Sequence, residues 1–208
     1  MSEPSREATD DLAAQLEFLH AIDRLKRVIR QSPLLDRSRK ENSAEHSWHL
    51  ALYALVLSDH ARQKVDLFRV VKMLLVHDLV EIDAGDMPIH GAHREDQAER
   101  ERAAALRLFG LLPRTQREAL HALWDEFERA QSADAQFAKA LDRLQPLLVN
   151  VLVGGGTWAE NAVTHEQVLQ RYGPTIERGA PALWHVAQDL VAKHFAASRR
   201  TAAAPDRD

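Results

Sequence analysis

The chain contains no cysteine, which excludes disulfides, thiolate zinc sites and a cysteine nucleophile. Any bound metal must therefore be held by nitrogen and oxygen. Glycine and proline are scarce, eight of each in 208 residues, so little interrupts helices that the abundant Ala, Leu, Arg and Glu favour. No stretch approaches the roughly 20 apolar residues that a membrane span needs, and Met1 to Asp11 is polar, without the apolar core of a signal peptide. These absences predict a cytoplasmic, all-α protein that does not engage membranes. Neither sign of charge forms a block: the net charge is −4, with Lys and Arg interleaved among Asp and Glu. That pattern argues against nucleic acid as a partner and leaves a small phosphorylated ligand open.

Apolar residues at spacings of three and four, from Leu12 through Leu16, Leu19, Ile22 and Leu25 to Ile29, predict a first helix ending before Ser32-Pro33. Residues 30 to 42 read as a basic loop, and Ser43 as the cap of a second helix running to about Ala61. Phe68 to Ile82 is apolar almost all round and should be the central buried helix. Gly85, Pro88 and Gly91 mark a loop over 84–92. Further helices are expected from Glu95 to Phe109, from Pro113 to about Ala130 and from Ala133 to Asn150, with shorter ones near 164–172 and 180–198. Gly154-Gly155-Gly156 reads as a flexible connection. Residues 1–11 and 199–208 are expected to be flexible ends around a single domain over 12–198.

The most informative pair is His77-Asp78, near the end of the most apolar segment, because burying an imidazole and a carboxylate without partners costs several kcal/mol. A hydrogen-bonded core pair would satisfy them, and so would a divalent cation. Mixed nitrogen and oxygen donors suit Mn, Fe, Co, Ni, Mg or Zn. Neighbouring helical residues point about 100° apart, so both can face one ion only if other segments supply further ligands. His46, in the first turn of the second helix, and Asp142, on an otherwise apolar helix, are the candidates.

These residues resemble the metal-dependent HD phosphohydrolases, and within them the 5'-deoxynucleotidase group. The resemblance rests on Glu41-Asn42 with Glu45-His46-Ser47, then His77-Asp78-Leu79-Val80-Glu81, then Gly85-Asp86-Met87-Pro88, then Asp142-Arg143-Leu144, in that order. It covers residues 12 to about 150, with its motifs within about 40–150. It implies an HD-domain bundle of about six to eight helices, one divalent metal on His46, His77, Asp78 and Asp142, and hydrolysis of nucleoside 5'-monophosphates to nucleoside and phosphate, or of another phosphate ester. Asp78 and Glu81 would be catalytic, with Glu81 assisting proton transfer, and Asp86, Met87, Pro88 and Ile89 would line the nucleotide site. The family also implies a homodimer. Glu81 follows Asp78 by three residues and His77 by four, so a helix would place it on their side.

One departure stands out. The family's Arg-Trp pair ahead of the first metal histidine is replaced here by Gln31 and Ser32. Arg30 and Arg39 are the nearby cations expected to contact phosphate instead. The remaining histidines read as surface or packing residues, with His49, one turn after His46, the exception that could orient the site.

Overall fold

The computed structural model describes residues 6–90 and 95–202. The chain is mostly helical, as expected, and is organised around α7, Ala133–Leu152, which packs against α2 (Ser43–Leu57), α3 (Leu67–Val76), α6 (Arg114–Arg129), α9 (His165–Gly179) and α10 (Pro181–Ala202). Phe137, Leu141, Leu144 and Leu147 recur at spacings of three and four and are buried, so one face of α7 forms the core against Val70, Met73 and Leu74 of α3 and Val168, Tyr172 and Ile176 of α9. The centre is thus α7 and not the segment from Phe68. Phe68 and Leu75 of that segment are exposed.

That segment is also not one helix. α3 ends at Val76, a 3-10 turn carries His77–Val80, and α4, Glu81–Ala84, follows. Apolar periodicity predicts helix but does not distinguish the two windings. The tighter one has three residues per turn, which brings residues three apart, such as Asp78 and Glu81, into line.

The first helix differs too. α1, Arg6–Ile22, gives way to a 3-10 turn at Asp23–Arg27 and then to strand β1, Ile29–Pro33, which pairs antiparallel with β2, Lys40–Asn42. The expected basic loop is therefore largely a hairpin, whose outer pairs are Ile29 with Asn42 and Pro33 with Lys40. Asn42, not Ser43, caps α2: its side chain accepts from the Glu45 amide (3.0 Å), and Glu45 accepts from the Asn42 amide (3.1 Å).

α5 (Gln97–Phe109) and α8 (Thr157–Glu160) complete the set, with Pro113 capping α6 from outside and short α4 and α8 raising the helices above the expected number. The glycine run joins α7 to α8 through three residues of positive φ, held by Asn150 Oδ1, which accepts from the Thr157 amide (2.8 Å) and hydroxyl (3.0 Å). It is an anchored turn more than a hinge. Helix extends into both expected flexible ends, from Arg6 and to Ala202; residues 1–5 and 203–208, like Gly91 of the expected loop, lie outside the described residues. No helix among the described residues is long and apolar enough to cross a membrane.

Gly179 marks the closest approach of α9 to α7. A Cβ there would strike the Gln136 carbonyl and come within 2.8 Å of Ala140 Cβ. Gly179→Ala is accordingly expected to lower stability by about 1–3 kcal/mol, measured by urea unfolding. An unchanged midpoint would show that the two helices separate at little cost.

Candidate metal centre and cavity

Four segments distant in sequence meet over α7. The capping box fixes the start of α2 and sets His46, fully buried, in its first turn. The 3-10 turn presents His77 and Asp78, both buried. α7 contributes Asp142 and β1 contributes Arg30. Gly85, at φ +80, takes the left-handed turn out of α4 that returns Asp86 toward Arg30, 3.6 Å away.

His46, His77 and Asp142 each offer one donor atom within 4.8 Å of the others. His46 Nε2 lies 3.1 Å and His77 Nε2 3.7 Å from Asp142 Oδ1. His77 Nδ1 donates to the Leu74 carbonyl (2.9 Å), which leaves Nε2 with its lone pair pointing inward. That Nε2 is buried without a hydrogen-bond partner among the described residues, although Asp78 Oδ1 is 2.9 Å away. Acceptors facing one another require something positive between them. Burial opposes an imidazolium, yet Asp78 and Asp142 outweigh it and raise His77 to about 10. A divalent cation would satisfy the same field, and the donors fit one: two imidazole nitrogens, the Asp142 oxygen and Asp78 beside them. Asp78 stands beside the three donors that converge, His46, His77 and Asp142, and its Oδ2 accepts from Arg30 Nη1 at 2.9 Å.

Arg30 is nearly enclosed and gathers carboxylates. Besides Asp78 it lies 3.5 Å from Glu41, 3.5 Å from Glu81 and 3.6 Å from Asp86. Burial works against its charge, but Asp78, Glu81, Asp86 and Asp142 overcome that and raise its pKa. Burial likewise opposes the Asp78 carboxylate, and His77 and Arg30 together hold it at about 2. Asp142 is held well below the usual carboxylate range, its contacts with His46 and His77 prevailing over burial.

Glu81 goes the other way. Burial, reinforced by Asp78 and Asp86, pushes its pKa well above the ordinary value, although Arg30 and Ser43 oppose this. Its Oε2 accepts from the Ser43 hydroxyl at 2.5 Å. Asp86 is also raised, chiefly by burial.

Arg30, His77, Asp78, Glu81, Asp86 and Asp142 line one cavity of about 690 Å³, and Met87, Pro88 and Ile89 line it too. Arg39 does not. It lies outside the cavity on the surface, donating to Glu45 at 2.8 Å, because the carboxylate of the capping box claims its guanidinium. Arg39→Gln is therefore expected to leave turnover within roughly twofold of the parent, the usual scale of an exposed ion pair. A tenfold loss would bring Arg39 back to the site.

Sequence reasoning gave no role to Glu41 or Gln145, yet both are buried here. Gln145 donates to Glu41 at 3.2 Å, and Glu41 Oε1 lies 3.3 Å from His46 Nδ1, outside hydrogen-bonding geometry. His49, the histidine expected to orient the site, lies 3.5 Å from Gln145 at the edge of this group. His90 and Arg143 also line the cavity unforeseen. A signal existed for Arg143, which shares a face of α7 with Lys139 and follows Asp142 directly, but a charged helix face usually means solvent.

A helical fold closing His46, His77-Asp78 and Asp142 on one buried point defines a protein of the HD kind. The HD-domain family model matches residues 22–184, and the chain belongs to that family. It is similar to 5'-deoxynucleotidase HDDC2 of Bos taurus, 36% identical over 64% of either chain, and to that of Homo sapiens, 35% identical over 64% of this chain and 65% of the other. The chain thus matches slightly under two thirds of the length of these curated relatives. Among solved structures it is similar to a "Predicted metal-dependent phosphohydrolase" from Magnetospirillum magnetotacticum MS-1, at 50% identity and a TM-score of 0.85, covering 94% of this chain and all of the other.

Proposed function

We propose that the protein is a metal-dependent phosphomonoesterase acting on nucleoside 5'-monophosphates and releasing nucleoside and phosphate. The observation that carries this reading is the buried, inward-facing Nε2 of His77, without a hydrogen-bond partner, among His46, Asp78 and Asp142 in a cavity large enough for a nucleotide. The named relatives and the solved phosphohydrolase support it.

A divalent cation held by these four residues supplies Lewis-acid chemistry, polarising a phosphoryl oxygen and making water a better nucleophile. The protein's own groups do the rest. Arg30 keeps Asp78, Glu81 and Asp86 gathered in one place. Glu81 takes the proton of the attacking water at Oε1, its other oxygen being held by Ser43, as the new bond to phosphorus forms; the bond from phosphorus to the 5'-oxygen breaks, and that oxygen takes a proton from solvent in the open cavity. Asp86, facing the cavity beyond the Gly85 turn, accepts a hydrogen bond from the sugar.

The test is phosphate release from deoxy- and ribonucleoside 5'-monophosphates by metal-stripped protein, with Mn, Co, Mg or Zn restored separately. Release that appears only with metal is expected. A protein that binds metal tightly and hydrolyses none of the panel would sink the reading.

A further inference from the structure

Among the described residues, four Lys and Arg side chains line the cavity, and three are engaged. Arg30 faces four carboxylates, at 2.9 to 3.6 Å. Lys139 pairs with Glu128 at 2.9 Å and lies over the Phe127 ring, 4.2 Å from its centre. Arg171, at the exposed rim, donates to the Ile89 carbonyl. Arg143 is different: half-buried on α7, it lines the cavity and makes neither an ion pair nor a hydrogen bond among the described residues. A guanidinium drawn half out of water with its donors unpaired, the Asp142 carboxylate acting on it only through its field and not by contact, has N–H groups free to take an anion.

Its surroundings say where that anion would sit. Arg143 directly follows Asp142, and helical spacing puts Lys139, Arg143, Pro146 and Asn150 along one face of α7, all of them in the cavity wall. One end of that wall therefore adjoins the carboxylate of the metal centre. The other leads toward Asn150, Thr157 and Tyr172, over a rise of roughly 12 Å from Asp142 to Asn150 at 1.5 Å per residue. Nearby, His90 Nε2 is buried and without a partner among the described residues, with Arg143 and Arg171 close enough to help burial hold that imidazole at about 4 and hence neutral. The cavity thus has an acidic pole that suits a cation and, one residue along α7, a cationic position that suits an anion.

We infer that Arg143 is the residue that grips the substrate's phosphate, holding it beside Asp142 and directing the rest of the substrate along α7 toward Asn150 and Tyr172. The identity of the anion rests on the phosphomonoesterase reading; the existence of an anion site does not. Arg30, whose guanidinium is taken up by acids, organises the metal pole and leaves the phosphate to Arg143.

The test compares Mn-loaded parent with Arg143→Gln and Arg143→Lys, the latter preserving charge should the former fold poorly. Calorimetry measures the affinity for inorganic phosphate, metal content is read alongside, and deoxyadenosine is tested as a product inhibitor. Loss of a charge-assisted contact should weaken phosphate binding by roughly tenfold or more in Arg143→Gln and less in Arg143→Lys, and raise KM more than it lowers kcat. Metal content and inhibition by deoxyadenosine should be unchanged. Parental phosphate affinity in Arg143→Gln, or a loss that falls equally on deoxyadenosine, overturns the inference. If no phosphomonoester is turned over but phosphate still binds through Arg143, the anion site stands and the phosphomonoesterase reading falls. If turnover persists with the parental KM in Arg143→Gln, the phosphomonoesterase reading stands and the inference falls.

Discussion

Asp142→Ala is expected to empty the metal site and reduce phosphate release by on the order of a thousandfold or more, since several kcal/mol of Lewis-acid stabilisation go with the ion and each 1.36 kcal/mol is a factor of ten. Asp142 is the carboxylate that both histidines face, at 3.1 and 3.7 Å, and it sits on the helix around which the fold is organised. Of the expected carboxylate ligands, removing it leaves Asp78 beside His77, already shared with Arg30. Metal content of the purified variant, alongside phosphate release, is the measurement. A variant that retains metal and turns over normally would show that Asp142 is only a core partner of His46.

Glu81→Gln should have the second largest effect, a fall in kcat of about 10²–10⁴-fold with metal retained. The amide can still accept from Ser43 but takes no proton. The parent's pH profile should carry the mark of the same group. Burial with Asp78 and Asp86 nearby raises the Glu81 pKa, so its base form disappears as pH falls through a value higher than an ordinary glutamate's, and kcat/KM should fall there. In Glu81→Gln that acid limb should be absent. The stability consequence has the opposite sense: a carboxyl raised by folding contributes stability below the ordinary glutamate range and loses that contribution as pH rises through the raised value. A variant with an unaltered acid limb would assign the proton to another group.

Part of the constellation was visible because it violates local expectation, while His46 stood out only through the order of the family motifs. His77 and Asp78 interrupt an apolar run, and Asp142 interrupts another. Such residues stand out whatever the tertiary structure. Arg30 and the hairpin were less so. Strand β1 carries Arg30, Gln31 and Ser32 between Ile29 and Pro33, β2 is three residues long, and their pairing is non-local, so periodicity within either segment could not reveal it. Arg39 and Arg30 were equivalent as sequence; only the capping-box carboxylate, which draws one of them outward, separates them. Arg143, although it stands in the Asp142-Arg143-Leu144 motif, was given no role for a related reason. Lys139 and Arg143 on one helix face look like a solvated stripe, and only the crossing of the Asp86–His90 segment and α9 makes that stripe the wall of a cavity.

The distance along the chain between the donors carries one more consequence. His46 and Asp142 are 96 residues apart, and Arg30 and Asp78 are 48 apart. An ion shared by His46 and Asp142 would act as a removable cross-link in a protein that has no covalent one, closing a long loop whose closure entropy is otherwise borne by packing alone. Unfolding would then release the ion, so ambient metal concentration would set how often the native chain opens to proteases.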